Sequence, residues 1–566
     1  MRPGPARTAG VPGGATGTGG PLPAGRGSRR PAHARPPVQD ASSRRFLARA
    51  TLLSAALSIA GAVLGLGRDQ TLAHLFGAGA ETDAFLVAWT VPEVAATLLI
   101  EDGMAFVLVP AFSAALALRA RGQRTPDPVR SLVAASLPRL CLALAATAAV
   151  LAAGAPMLVS ALAPGLSDPS LAVSCTRLTA TCVLSFGLAG YCSAALRAHR
   201  SYLAPGAIYI VYNVAIIATM FVLGTHWGVR STALGVALGG CLMVAVQAPT
   251  LARRIAGRAG RRALVDDGGD GARPLAPALV CAVLLFALCR QSQVLIERYL
   301  ASELPAGAIS HLNYAQKIAQ LPMSLASMVC VVTFPVVAQA IAEGDTRRAR
   351  DRVERDLVLM STTVLMGAAV VLACAPQIVQ LLFQRGAFTA QDTAATAAVM
   401  RVYATGLLGQ TLVGALVRSY FATGRTTWFP LGAMGVGALA TVAIGACAVG
   451  PWGAYGIAAA NAIGITVTAL LLLHGLGPST VPVRVRRVLG DLVGPLCAAA
   501  GATGAGLLGA GLFASPAASV AVCGLCVSAV FLLLAWLLDA AGARSLLLSA
   551  VHVLRPYVTR KLGHGR

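Results

Sequence analysis

From about residue 48 to residue 539 the chain returns again and again to apolar runs of 20 or more residues with few charges inside them. A helix rises 1.5 Å per residue, so about 20 residues cross the roughly 30 Å of bilayer hydrocarbon. In hydrocarbon the backbone must satisfy its own hydrogen bonds, and a helix does so within one segment. The chain is therefore read as an all-α polytopic membrane protein. Only 12% of its 566 residues are charged, where a soluble domain carries about 25%. Its mean hydropathy is +0.72. Fourteen spanning segments are read, at about 48–75, 82–118, 130–162, 169–196, 202–224, 229–252, 275–300, 307–341, 354–383, 389–421, 428–450, 452–475, 486–513 and 517–539. Pro92 and Pro110 predict a kinked second segment.

The net charge of +23 is distributed between the apolar runs, not gathered on a soluble face. That placement points to topology and away from nucleic-acid binding. One set of connections is rich in arginine: Arg119, Arg121 and Arg124; Arg197 and Arg200; Arg253, Arg254, Arg258, Arg261 and Arg262; Arg347, Arg348, Arg350, Arg352 and Arg355; Arg425; and Arg484, Arg486 and Arg487. The alternate set is nearly bare, with Arg230, Arg385 and Arg298 as exceptions. The positive-inside bias places the basic set and both termini in the cytoplasm. Residues 1–45, rich in Pro, Gly and Arg, read as a disordered basic tail and not as a signal peptide. Residues 541–566 form a second basic tail, expected to lie on the inner membrane surface. The thirteen cysteines fall in apolar runs and read as packing residues; the Cys523–Cys526 spacing has no His or acidic partner for metal or redox work.

The chain repeats itself. A shift of 225 residues lays Pro110 on Pro335, Arg200 on Arg425, Pro205 on Pro430 and Trp227-Gly228 on Trp452-Gly453. A unit of six helices keeps both copies in one orientation, related by an axis along the membrane normal. The expected domains are an N-terminal lobe over 46–262, a C-terminal lobe over 263–476, and two further helices over 477–540. Two such lobes suggest alternating access to a site between them.

Charges inside spanning helices are costly, at least about 2.5 kcal/mol each, so they should face a cavity or a partner. Arg68-Asp69 closes the first segment and Asp83 opens the second. Arg68 offers a planar fork to a phosphate, or else pairs with Asp69 or Asp83, or reaches the interface. Glu93, Glu101 and Asp102 follow; they read as proton or cation carriers, or as partners for arginines of the other lobe. Asp83 and Glu101 share a face if their helix is regular. In the second lobe Arg290, Gln293 and Glu297 fall on one helical face, and Asn313, Lys317 and Gln320 on another. Two polar stripes on apolar helices suit the wall of a wet cavity. No nucleotide loop, paired-His metal motif or nucleophile elbow is present in the sequence, so a transporter is expected rather than an enzyme, with no cofactor and no metal site. Membrane potential, H⁺ or Na⁺ is the expected drive.

The stretches GLGRDQTLAHLFGAGAETDAFLVAWTVPE (65–93), ERYLASELPAGAISHLNYAQKIAQLP (297–322) and LFQRGAFTAQDT (382–393) resemble the MurJ/MviN family of lipid II flippases, within the multidrug/oligosaccharidyl-lipid/polysaccharide exporter superfamily. The resemblance runs from about 48 to 540. It implies fourteen helices, two six-helix lobes around a central cavity, and a lipid-tail groove at the last two. It also implies a monomeric carrier in the bacterial plasma membrane, moving undecaprenyl-pyrophosphate-linked disaccharide-pentapeptide outward among membrane lipids. Arg68 matches the family's Arg-Asp motif, Asp83 its Thr-Asp-Ala-Phe motif, and Lys317 a position usually Arg. Three cations that the resemblance leads one to expect are replaced, by Ala62, Ala96 and Thr97, and Glu93 adds a negative charge. Arg290 is the expected compensation. These departures leave open a different polyprenyl-linked oligosaccharide, such as a capsule or exopolysaccharide unit. A non-transporting scaffold with the basic tail as docking arm is the reading from another class.

Overall fold

The computed structural model describes residues 41–101, 103–120, 127–256, 277–326, 345–422, 427–476, 483–509 and 515–538. Residues 1–51 and 52–566 are separate compact units. Of the first, the opening turns of α1 (Ala41–Phe76) are among the described residues. In the second, α1 continues and is followed by α2 (Ala80–Ala88), α3 (Thr90–Ala95), a π-helical turn (Ala96–Glu101) and α4 (Gly103–Ala120). Next come α5 (Pro128–Ala153), α6 (Ala155–Leu162), α7 (Pro169–Ala180), α8 (Cys182–Ala198), α9 (Leu203–Trp227) and α10 (Arg230–Ala256). Then α11 (Pro277–Ala301), α12 (Ala308–Ala319), α13 (Thr346–Phe383), α14 (Ala390–Thr405) and α15 (Leu407–Ala422) lead to α16 (Phe429–His474), α17 (Val485–Gly509) and α18 (Pro516–Leu537). No strand occurs among the described residues. Nine helical stretches there are long and apolar enough to cross a membrane. The expected Pro335 and Arg425 matches, and Asp102, lie outside the described residues.

The second apolar segment is the broken one. Pro92 has no N–H to give to the carbonyl of Ala88, and around it the chain divides into α2, α3 and the π turn. Pro110, by contrast, sits within α4 without interrupting it. Because a π turn shifts the helical register, the regular-helix condition for Asp83 and Glu101 sharing a face is not met.

The sequence repeat reappears in the backbone. Helix ends at Phe76 and Ala180 recur at Ala301 and Thr405, at the same offset of 225. Gly228 (φ 55°, ψ −144°) and Gly453 (φ 54°, ψ −134°) adopt one conformation, a region almost reserved for glycine. At Gly453 the 46-residue α16 folds back on itself. Gly437 and Gly464 then meet so closely that a Cβ on either would collide with Thr468 or Thr441. Small residues allow this approach where no hydrophobic effect drives helices together. The stretch read as two segments, 428–450 and 452–475, is this hairpin.

Connections of the two repeats touch: the Ala387 amide donates to the His74 carbonyl (2.9 Å), and the Gly165 amide to the Ser302 hydroxyl (3.3 Å). Among the Arg-rich connections Arg119 pairs with Asp127 (2.9 Å), and Arg484 with Glu354 (2.7 Å). Asp168 caps α7 by accepting from the Leu171 amide (3.0 Å) and the Ser170 hydroxyl; these bonds hold its carboxyl below the usual carboxylate range. Beyond the repeats, α17 and α18 pack on each other and on α13 through Ala373, Ala502, Val527 and Phe531.

Gly453→Ala is expected to lower the thermal unfolding midpoint in detergent by backbone strain worth about 1–3 kcal/mol, because the added Cβ meets only the far end of Leu304. Gly450→Ala, where a Cβ meets open space, should leave the midpoint unchanged. Equal midpoints for both variants would contradict the strained-turn assignment.

Candidate functional site

One buried carboxylate joins the two repeats. Asp69 of α1 accepts from the guanidinium of its neighbour Arg68 at 2.7 and 3.0 Å through Oδ1, and from Lys317 Nζ of α12 at 3.1 Å through Oδ2. Arg68 also donates to Asn213 Oδ1 of α9 (3.3 Å). Asn213 is itself fixed, donating to the Gly61 and Tyr209 carbonyls (3.2 and 2.9 Å). Trp89, at the break between α2 and α3, lies beneath both cations, its ring centroid 4.5 Å from the Arg68 guanidinium carbon and 5.9 Å from Lys317 Nζ. An aromatic face stabilises cations without supplying a competing anion. Lys317 is the more open of the two, its side chain 32% exposed against 13% for Arg68.

Both cations line a cavity of about 330 Å³, shared with Glu93, Glu101, Tyr209 and Gln291. Ala96 and Thr97 form part of the same wall. Two of the three positions at which the resemblance implies a cation therefore lie on this cavity. Ala62, the third such position, is exposed. Glu101 accepts from the Tyr209 hydroxyl (3.2 Å).

Asp83 does different work. It is buried and accepts from the amides of Gly307 (2.6 Å) and Ser310 (2.8 Å) and from the Ser310 hydroxyl. Helix α12 is preceded at its N-cap by Gly307, which has no side chain to cap it. Its first amides are orphans by helix geometry, and a carboxylate from the other repeat satisfies them. Beside this clasp, His311 Nε2 lies 3.1 Å from Asp392 Oδ1.

A second hollow, of about 80 Å³, is lined by Glu93, Glu297, Arg298, Asn313, Gln316, Lys317 and Gln320. Glu93 Oε2 accepts from Arg298 Nη2 at 2.8 Å, and Arg298 Nη1 donates to the Thr90 hydroxyl. Glu297 is buried and accepts from the Asn461 amide. The structure thus brings Arg68, Lys317, Glu93, Glu101, Glu297 and Asn313 to two adjoining hollows, with Asp69 bound to both Arg68 and Lys317. Arg290 is exposed and is not among their lining residues. Arg298, about two turns further along α11, lines the smaller one. Arg298, Trp89, Asn213 and Asn461 were missed by sequence reasoning. Sequence position groups Arg298 with the few arginines of the nearly bare connections. Asn213 and Asn461 each stand inside an apolar run, the signal by which an intramembrane polar group is found.

A family model described as "Lipid II flippase MurJ" matches residues 72–521. The lipid II flippase MurJ of Burkholderia cenocepacia is 28% identical over 387 residues, covering 66% of this chain and 73% of that protein. A probable lipid II flippase MurJ of Bdellovibrio bacteriovorus is 25% identical over 435 residues, covering 76% and 82%. Among solved structures, a lipid II flippase MurJ in an inward closed conformation superposes with a TM-score of 0.67 at 18% identity, over 88% of this chain and all of that one. An inward-facing MATE family transporter of the MOP superfamily superposes with a TM-score of 0.56 at 14% identity, over 78% of this chain and 99% of that one. At these identities the superpositions establish the fold.

Asp69→Asn strands two neighbouring cations, and is expected to cost about 3–5 kcal/mol of stability by analogy with broken buried pairs. Adding Lys317→Gln should recover part of the loss in a double-mutant cycle; additive losses would contradict a shared carboxylate. Asp83→Ala removes the clasp on α12. Amide exchange over 307–311 should accelerate about tenfold or more, with Asp83→Asn, which keeps one acceptor oxygen, falling between.

Proposed function

This chain belongs to the lipid II flippase MurJ family, and from that premise we propose that it carries an undecaprenyl-pyrophosphate-linked disaccharide-pentapeptide across the plasma membrane by alternating access. The observation that carries the proposal is the placement of Arg68 and Lys317 over one aromatic floor, on one cavity, from different repeats. A pyrophosphate needs at least two cations, and an Arg fork matches phosphate oxygens in a way a point charge does not. Asp69 holds both cations while the cavity is empty of anion. An entering pyrophosphate competes with it, first at Lys317, the more exposed partner.

In this reading the Arg-rich end and both termini face the cytoplasm, as the charge bias favours. The two repeats act as lobes. The headgroup enters from the cytoplasmic side while the Asp83 clasp holds the far end shut. The lipid tail stays in the bilayer alongside α17 and α18. Transfer of cations from Asp69 to the pyrophosphate loosens α12 from α1, and the clasp then opens outward. The drive is the membrane potential, worth about 2.3 kcal/mol per charge per 100 mV, or a flow of H⁺ or Na⁺. The protein works as a monomer.

Purified protein in liposomes, with labelled lipid II loaded in one leaflet, tests this directly. Arg68→Gln and Lys317→Gln should each slow appearance in the other leaflet about tenfold or more, and Lys317→Arg should keep the rate. Undiminished flipping by the Arg68 and Lys317 variants would overturn the site assignment. No lipid II flipping by the wild type, with flipping of another polyprenyl-linked oligosaccharide in its place, would overturn the cargo.

A further inference from the structure

The cavity wall lacks cations at Ala96 and Thr97, yet an arginine stands behind it. Arg298 is 4% exposed, on the unbroken helix α11, with its fork held by Glu93 and Thr90 of the other repeat. Glu93 lines both hollows, as does Lys317, whereas Arg298 lines only the smaller. Glu93 therefore stands between Arg298 and the larger cavity. Its side chain is 31% exposed against 5% for the arginine, so the anion of the pair is the member within reach of an incoming ligand. Glu93 is carried by α3, bounded by the break at Trp89 and the π turn Ala96–Glu101. Such irregular turns give locally where a continuous helix does not.

We propose that Arg298 is a third phosphate-binding residue, masked by Glu93 in this conformation, and that the Glu93–Arg298 pair makes the site select a diphosphate over a monophosphate. This rests on the reading that Arg68 and Lys317 bind a lipid-linked phosphate. A monophosphate is held by Arg68 and Lys317 and leaves Glu93 on Arg298. A diphosphate extends past Lys317 with a second charged group, which displaces Glu93 and completes its coordination on the Arg298 fork. Glu93 thus acts as an internal competitor: it satisfies a buried guanidinium that would otherwise be unpaired, and it raises the threshold for ligands with too little charge to replace it. Specificity built by a repulsive or competing group is the general device.

The test is the binding of undecaprenyl diphosphate and undecaprenyl monophosphate to the full-length protein in detergent, for wild type, Glu93→Gln, Arg298→Gln, Glu93→Gln/Arg298→Gln and Arg68→Gln. Glu93→Gln should tighten diphosphate about tenfold and narrow its advantage over monophosphate. Arg298→Gln and the double variant should weaken diphosphate about tenfold while leaving monophosphate within about twofold. The double variant removes both charges and so guards against misfolding of the single ones. If the double variant binds both lipids as wild type does, or loses both equally, Arg298 is an inter-repeat tie only and the proposal fails. If Arg68→Gln also binds both lipids normally, the underlying phosphate site is wrong, a result distinguishable from the first.

Discussion

A charge inside a bilayer has to find its opposite within the protein, and in this chain the opposite repeatedly lies in the other repeat. Asp69 of α1 reaches Lys317 of α12. Asp83 of α2 reaches the amides that open α12. Glu93 of α3 reaches Arg298 of α11. Apolar packing cannot supply such registry, because lipid tails are as good a neighbour for Leu as another Leu is. The carboxylates of the first repeat thus fix how the two repeats stand, and two of them, Asp69 and Glu93, act at or beside the cavity. A contact that is strong only while no other anion is present is suited to a carrier, since the ligand itself changes what holds the repeats together.

Much of the fold was legible because hydrocarbon permits few alternatives. Apolar length gave the helices, and the constant offset between Trp227-Gly228 and Trp452-Gly453 gave a repeat that returns as one shared backbone conformation. The division of the second segment was only half legible. Pro92 marks the place, but the π turn beyond it is written in no residue type, and it separates Asp83 from Glu101 in role.

At the site, the clustering of Arg68, Asp69 and Lys317 follows from their rarity in apolar runs. What spacing could not reveal was which partner each group takes. Asp83 looked like a cavity residue and is a helix cap, because the need it meets belongs to α12, more than two hundred residues away, where Gly307 leaves the amides uncapped. Arg290 and Arg298 are both arginines of α11, but Arg290 is exposed and Arg298 is buried against Thr90. Periodicity along α11 groups Arg290 with Glu297; only the position of the neighbouring repeat decides which arginine is enclosed.

The most direct measurement is the distance between spin labels introduced genetically at Gly79, where open space surrounds the added side chain, and at Gln391, exposed on α14, in protein reconstituted without and with undecaprenyl diphosphate. If the carboxylates tie the repeats and yield to a phosphate, the lipid should shift the distribution toward longer distances, and Asp69→Asn should shift it without lipid. A distribution unmoved by saturating lipid and by Asp69→Asn would contradict the account.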